Sequence, residues 1–107
     1  MKDVQEIMQK WQYARLTRVS YDIDILNPAY NYLWLEPANA MDPEWLTQHF
    51  AWCSIESEAH ALRISVARDK VRSLGEIYQA ILDYLGLAGW EAYSEKASMT
   101  SFKRPLG

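Results

Sequence analysis

Leu74, Ile77, Tyr78, Ile81, Leu82 and Leu85 recur at the three- and four-residue spacing that sets six apolar side chains on one face of a helix. A helix that is apolar on one side needs a second apolar layer to lie against. Ser73-Leu74-Gly75-Glu76 in front of the stripe has the pattern of a capping box, and Gly86 behind it suits the left-handed residue that closes a helix. The spacing therefore predicts a helix over 74–86.

The layer it needs comes from segments of period two. Trp11, Tyr13, Arg15, Thr17, Val19, Tyr21 and Ile23 fall on one side of a long strand, and Gln12, Ala14, Leu16, Arg18, Ser20 and Asp22 on the other. After an Asn27-Pro28 turn, Tyr30, Tyr32 and Trp34 alternate with Asn31, Leu33 and Leu35, a strand apolar on both sides. Leu62, Ile64 and Val66 alternate with Arg63, Ser65 and Ala67. Gly89 to Ser94 and Met99 to Lys103 read as two closing strands, and Glu56 to Glu58 as a loop. Asp42-Pro43 is a helix start, with Asp at the N-cap and Pro at the first helical position. The helix it opens places Trp45, Leu46, His49, Phe50 and Cys53 on one face. Val4, Ile7, Met8 and Trp11 predict a short first helix over 3–10. The fold class is α+β: a small antiparallel sheet, one main helix (74–86) packed on it and a second helix near 43–53.

The 107 residues suit a single domain spanning 1–107, and a chain that is half apolar is expected to bury a core. The longest stretches free of Asp, Glu, Lys and Arg are the eleven residues Ile25 to Leu35 and Trp45 to Ile55, too short for a spanning helix of about 20 residues. Met1-Lys2-Asp3-Val4-Gln5-Glu6 lacks an apolar run, and the lone Cys53 has no internal partner for a disulfide. These features predict a cytoplasmic protein with no membrane partner. Net charge is −3, unevenly spread. Residues 1–60 hold nine acids and four bases, and residues 61–107 hold five acids and seven bases. The acidic half repels a polyphosphate, so nucleic acid is not an expected partner. The bases Arg63, Arg68, Lys70 and Arg72 can face the acidic segment within one chain or between two.

Lys10-Trp11-Gln12-Tyr13 opening a strand, Leu82-Asp83-Tyr84-Leu85-Gly86-Leu87-Ala88-Gly89-Trp90-Glu91 joining helix to strand, and Phe102-Lys103-Arg104-Pro105-Leu106 follow one another in a familiar order. Together they resemble the small bacterial and phage proteins of domain of unknown function family 4177. That resemblance implies a small antiparallel sheet with a helix on one face, and no activity. Against the family's pattern, Tyr30 to Arg72 read as an insertion with its own strands and helix.

No constellation here points to catalysis. His49, Cys53 and His60 lack a fourth ligand, and Cys53 continues an apolar stripe. Asp22 with Asp24 and Glu56 with Glu58 carry the spacing of solvated surfaces, and four glycines build no phosphate loop. No enzyme activity, metal or cofactor is expected. Five Trp, seven Tyr and two Phe are the unusual quantity. Trp11, Trp45, Trp90 and Phe102 fit the core, whereas Tyr30, Tyr32, Trp34 and Trp52 are harder to place inside. With Arg63, Arg68 and Arg72 they are the candidate partner- or ligand-binding residues. The expected function is a non-enzymatic protein-binding or regulatory factor, an inhibitor, immunity-like or phage accessory protein. The alternative is a small anionic-ligand binding module using the aromatic strand and the Arg63–Arg72 basic cluster. Tyr30 to Leu35, read as an edge strand, also predicts a homodimer. A foreign protein is the other partner considered.

Overall fold

The computed structural model describes residues 10–21, 30–67, 70 and 73–106. The predicted helix over 3–10 and the Asn27-Pro28 turn lie outside the described residues. The elements are β1 (Trp11–Tyr21), β2 (Tyr30–Glu36), a 3-10 turn at Ala38–Ala40, α1 (Pro43–His49), β3 (Cys53–Glu58), β4 (Ala61–Val66), α2 (Leu74–Leu87), β5 (Glu91–Lys96) and β6 (Met99–Pro105). The strands form one antiparallel sheet of order β3-β4-β2-β1-β6-β5. The fold is α+β, as the sequence pattern requires.

Alternation sorts the sheet into two faces. Leu16 stands opposite Leu35, Leu33 opposite Ile64, and Ala14 opposite Phe102, and all six are buried. Against them α2 lays Leu74, Ile77, Ile81 and Leu85, each fully buried, with Tyr78 and Leu82 packed at the margins. Helix α1 lies on the same side. Its Trp45 meets Tyr84 of α2 at 5.0 Å, and the Asp42 N–H donates to the Tyr84 hydroxyl at 3.3 Å. Asp42 caps α1 as expected, its side chain accepting from the Glu44 N–H at 3.0 Å.

Several boundaries differ from the sequence reading. The second helix stops at His49, so Phe50 and Cys53 do not continue a helical face. Cys53 opens β3, and the segment read as a loop, Glu56 to Glu58, completes that strand. The cause is the neighbouring strand β4, reached through the two-residue turn Ala59-His60, with Ala59 at φ 49°. Pairing with β4 puts Cys53 and Ile55 on the covered face opposite Val66 and Ile64. The capping box does not form: Ser73 is itself helical and makes no side-chain cap.

Helix α2 runs one residue past Gly86, and the left-handed position falls on Gly89, at φ 92°. There the Gly89 N–H donates to the Gly86 carbonyl at 3.1 Å and the Trp90 N–H to the Leu85 carbonyl at 2.9 Å. This double closure is a Schellman motif, and the buried Trp90 is its apolar residue.

The most consequential correction concerns Tyr30 to Leu35. Strand β2 is not an edge: it is hydrogen-bonded to β1 on one side and β4 on the other. Pairing of two chains along this strand is closed by the fold. The segment read as an insertion carries β2, α1, β3 and β4, and its strands widen the sheet that β1, β6 and β5 begin.

Candidate protein-binding face

Among the described residues no helix covers the second face of the sheet. The residues that alternate with the buried ones project there: Tyr13, Arg15 and Thr17 of β1, Tyr32, Trp34 and Glu36 of β2, Arg63 of β4, and Ser101 and Lys103 of β6. Two cation–aromatic clusters result. In the first, the Arg63 guanidinium sits 4.2 Å from the centre of the Tyr32 ring, and Tyr32 meets Trp34 edge-on at 6.3 Å. Arg63 also donates to Glu58 Oε1 at 3.3 Å, across the β3–β4 hairpin. Desolvation acts to lower the Arg63 pKa, but the hydrogen bond and charge of Glu58, with the charge of Glu56, outweigh it and hold the guanidinium more firmly protonated than usual. In the second cluster, Lys103 Nζ lies 4.4 Å from the Trp11 ring and 5.7 Å from that of Tyr93, which meets Tyr13 edge-on at 6.2 Å.

Of the candidate residues, the fold brings together Tyr32, Trp34 and Arg63. For Tyr30 the backbone pairing opposite Tyr21 is described. Arg68 and Arg72 lie outside the described residues. Trp52 is not part of the face; it sits in the turn before β3, 37% exposed and edge-on to Phe50 at 5.6 Å. Two aromatics assigned to the core are only half-buried. Trp11 belongs to the second face beneath Lys103, and Trp45 is stacked on His49 at 4.1 Å and tilted against Tyr84. Trp90 and Phe102 are buried as expected.

The sequence reading missed Tyr13, Arg15, Tyr93 and Lys103 as a group. The side-alternation of Trp11, Tyr13 and Arg15 was visible in β1, but the register that sets Lys103 opposite both Tyr13 and Glu91 is not local.

His49, Cys53 and His60 are not assembled. The His49 ring Nδ1 donates to the Trp45 carbonyl at 2.8 Å, and His60 lies in the turn beyond the far end of the strand that Cys53 begins. Among the described residues no group of three or more His, Cys, Asp or Glu stands close enough to hold a metal ion. Burial pushes the Cys53 thiol pKa up, against a smaller lowering by a backbone hydrogen bond. No helix among the described residues is long and apolar enough to cross a membrane. Comparison of the chain with protein-family models, curated proteins and solved structures finds no match.

Proposed function

We propose that this protein is a non-enzymatic regulatory factor of the cytoplasm that binds another protein through the uncovered face of its sheet. The observation that carries this reading is the paired cation–aromatic array, Arg63 on Tyr32 and Lys103 on Trp11, on a face that no described element covers. Trp, Tyr and Arg are the residues enriched at protein interfaces, because they bury large area at low entropic cost and keep a polar tip to pair. A sheet six strands wide, at about 4.8 Å per strand, spans close to 30 Å. That is wide enough for an interface of standard size.

Glu56 and Glu58 lie on one edge strand of this face, and Glu91 and Lys96 on the other. In a face-to-face dimer with its two-fold axis along the strands, β3 lies against β5 of the second copy, and Glu56 comes level with Lys96. Self-pairing over the same face is the second reading. The ligand-binding alternative loses support at Arg63, whose guanidinium is engaged by Glu58 and Tyr32.

Capture from the native host with three forms of the chain tests the proposal. The wild type and a variant changed on the helical side, Gln79→Lys, are expected to retain the same protein, and the double variant Tyr32→Lys, Trp34→Glu to lose it. Equal capture by all three forms would remove the face from the proposal. A light-scattering mass of two chains that falls to one in the double variant would give the face to self-pairing instead.

A further inference from the structure

Resting on the reading of this face as a protein-binding surface, we infer that Arg15 anchors a single carboxylate, an Asp or Glu side chain on an extended segment of the partner. Arg15 stands in the middle of β1, exposed, and its side chain has no hydrogen-bond or ion-pair partner among the described residues. Of the other cations on this face, Arg63 is engaged by Glu58 and Tyr32, Lys103 by Trp11 and Tyr93, and Lys96 stands at the end of edge strand β5, outside the groove that Arg15 lines.

Arg15 lines a groove of about 530 Å³ together with Tyr13, Glu36, His60, Tyr93 and Ser101. Tyr13 and Tyr93 are 59% and 51% exposed, and their edge-to-face contact brings two phenol rings to the same groove as the guanidinium. Glu36 is the cross-strand partner of Arg15. Its carboxylate is nonetheless committed elsewhere: Oε1 accepts from the Trp34 indole N–H at 2.7 Å, and Oε2 lies 4.0 Å from His60 Nε2. The cation is thus left for an outside group. A guanidinium presents a fork of donors that matches a carboxylate. The site is a trough and not an enclosed cavity, which fits a chain segment laid across the sheet better than a small molecule that must bury most of its surface.

The neighbouring charges set the specificity. Glu36 stands one strand away on the β2 side, with Glu56 and Glu58 beyond it on β3. One carboxylate finds Arg15, and a second one toward β2 meets these three acids.

The test uses the full ¹⁵N-labelled chain titrated with the capped peptide acetyl-Thr-Val-Glu-Val-Thr-amide and with its counterpart carrying Gln for Glu. The Arg15 Nε–Hε signal and the amides of Tyr13, Tyr93 and Ser101 are followed. The Glu peptide is expected to shift these signals and to bind about five-fold more tightly than the Gln peptide. In Arg15→Gln that preference disappears, while in Arg63→Gln it persists. Equal shifts of this face by both peptides would overturn the carboxylate anchor and leave the protein-binding reading standing. No shift by either peptide would also overturn the anchor, and the capture experiment would then judge the binding reading alone. A preference retained in Arg15→Gln would assign the carboxylate to another group and overturn the inference.

Discussion

The hydroxyl of Tyr78 lies 2.6 Å from that of Thr100, joining the middle of α2 to strand β6 across the covered face of the sheet. The Tyr78 hydroxyl also lies 3.4 Å from the Leu16 carbonyl of β1, to which it donates, so one phenol ties the helix to two neighbouring strands. Thr100 is only 3% exposed, and its hydroxyl has little access to water as a substitute. Tyr78→Phe is therefore expected to destabilise the protein by about 1–2 kcal/mol in urea unfolding. Adding Thr100→Val removes the stranded hydroxyl, and the double variant should lose less than the two single losses added together. Strict additivity would show that the two hydroxyls do not interact.

Ile81 is fully buried in the stripe that α2 lays on the sheet. Ile81→Ala is expected to cost about 2–5 kcal/mol, the range for truncating a core side chain that leaves a cavity behind. Wild-type stability in urea would mean the stripe is not packed against the strands.

Gly89 closes α2 at φ 92°, and a methyl group placed there meets no atom within 4 Å. The cost of Gly89→Ala is then conformational and not steric, about 1–2 kcal/mol. Gly75 lies in the first turn of the same helix at ordinary helical φ, and a methyl group added to it also meets open space. Gly75→Ala should be neutral or stabilising by comparison. Calorimetric melting of the two variants side by side checks both signs.

Cys53 is 9% exposed, and burial raises its thiol pKa. A thiol reagent at mildly alkaline pH is expected to label the folded protein slowly, at the rate of structural opening, and the urea-unfolded chain at once. A group that holds its proton more tightly when folded contributes stability that is fully present below the ordinary thiol range and is lost as pH rises through its folded pKa. Cys53→Ser should flatten the alkaline limb of the stability profile accordingly. Fast labelling of the native protein would place the thiol at the surface.

What the sequence made legible was local. The six-residue stripe of α2, the Asp42-Pro43 start of α1 and the alternation in β1, β2 and β4 each declare themselves within a dozen residues, and each is present in the structure. Where two local patterns competed, the partner decided. Cys53 is four residues from His49, which suits a helix, and two from Ile55, which suits a strand; the hairpin with β4 settled it as strand. Strand order was the illegible part. Nothing near Tyr32 in the chain says that β4 will lie beside β2, so an interior strand read as an edge. The same blindness hid the Arg15 groove, whose walls come from β1, β2, the β3–β4 turn, β5 and β6.

That order has a consequence for the making of the protein. The sheet's central strand β1 is the first of the described strands to leave the ribosome, and its neighbour β6, with Trp11 opposite Pro105, is the last. Until β6 arrives, β1 has only β2 beside it and presents an open row of backbone donors and acceptors. Long-range pairing of this kind is slow to form and leaves the nascent chain open to aggregation. A stop codon or cleavage just before Met99 would remove one strand from the count and yet leave β1 bare in the middle of what should be a continuous sheet. Chains shortened in this way are expected to be lost to aggregates or proteases rather than to persist as a smaller folded form.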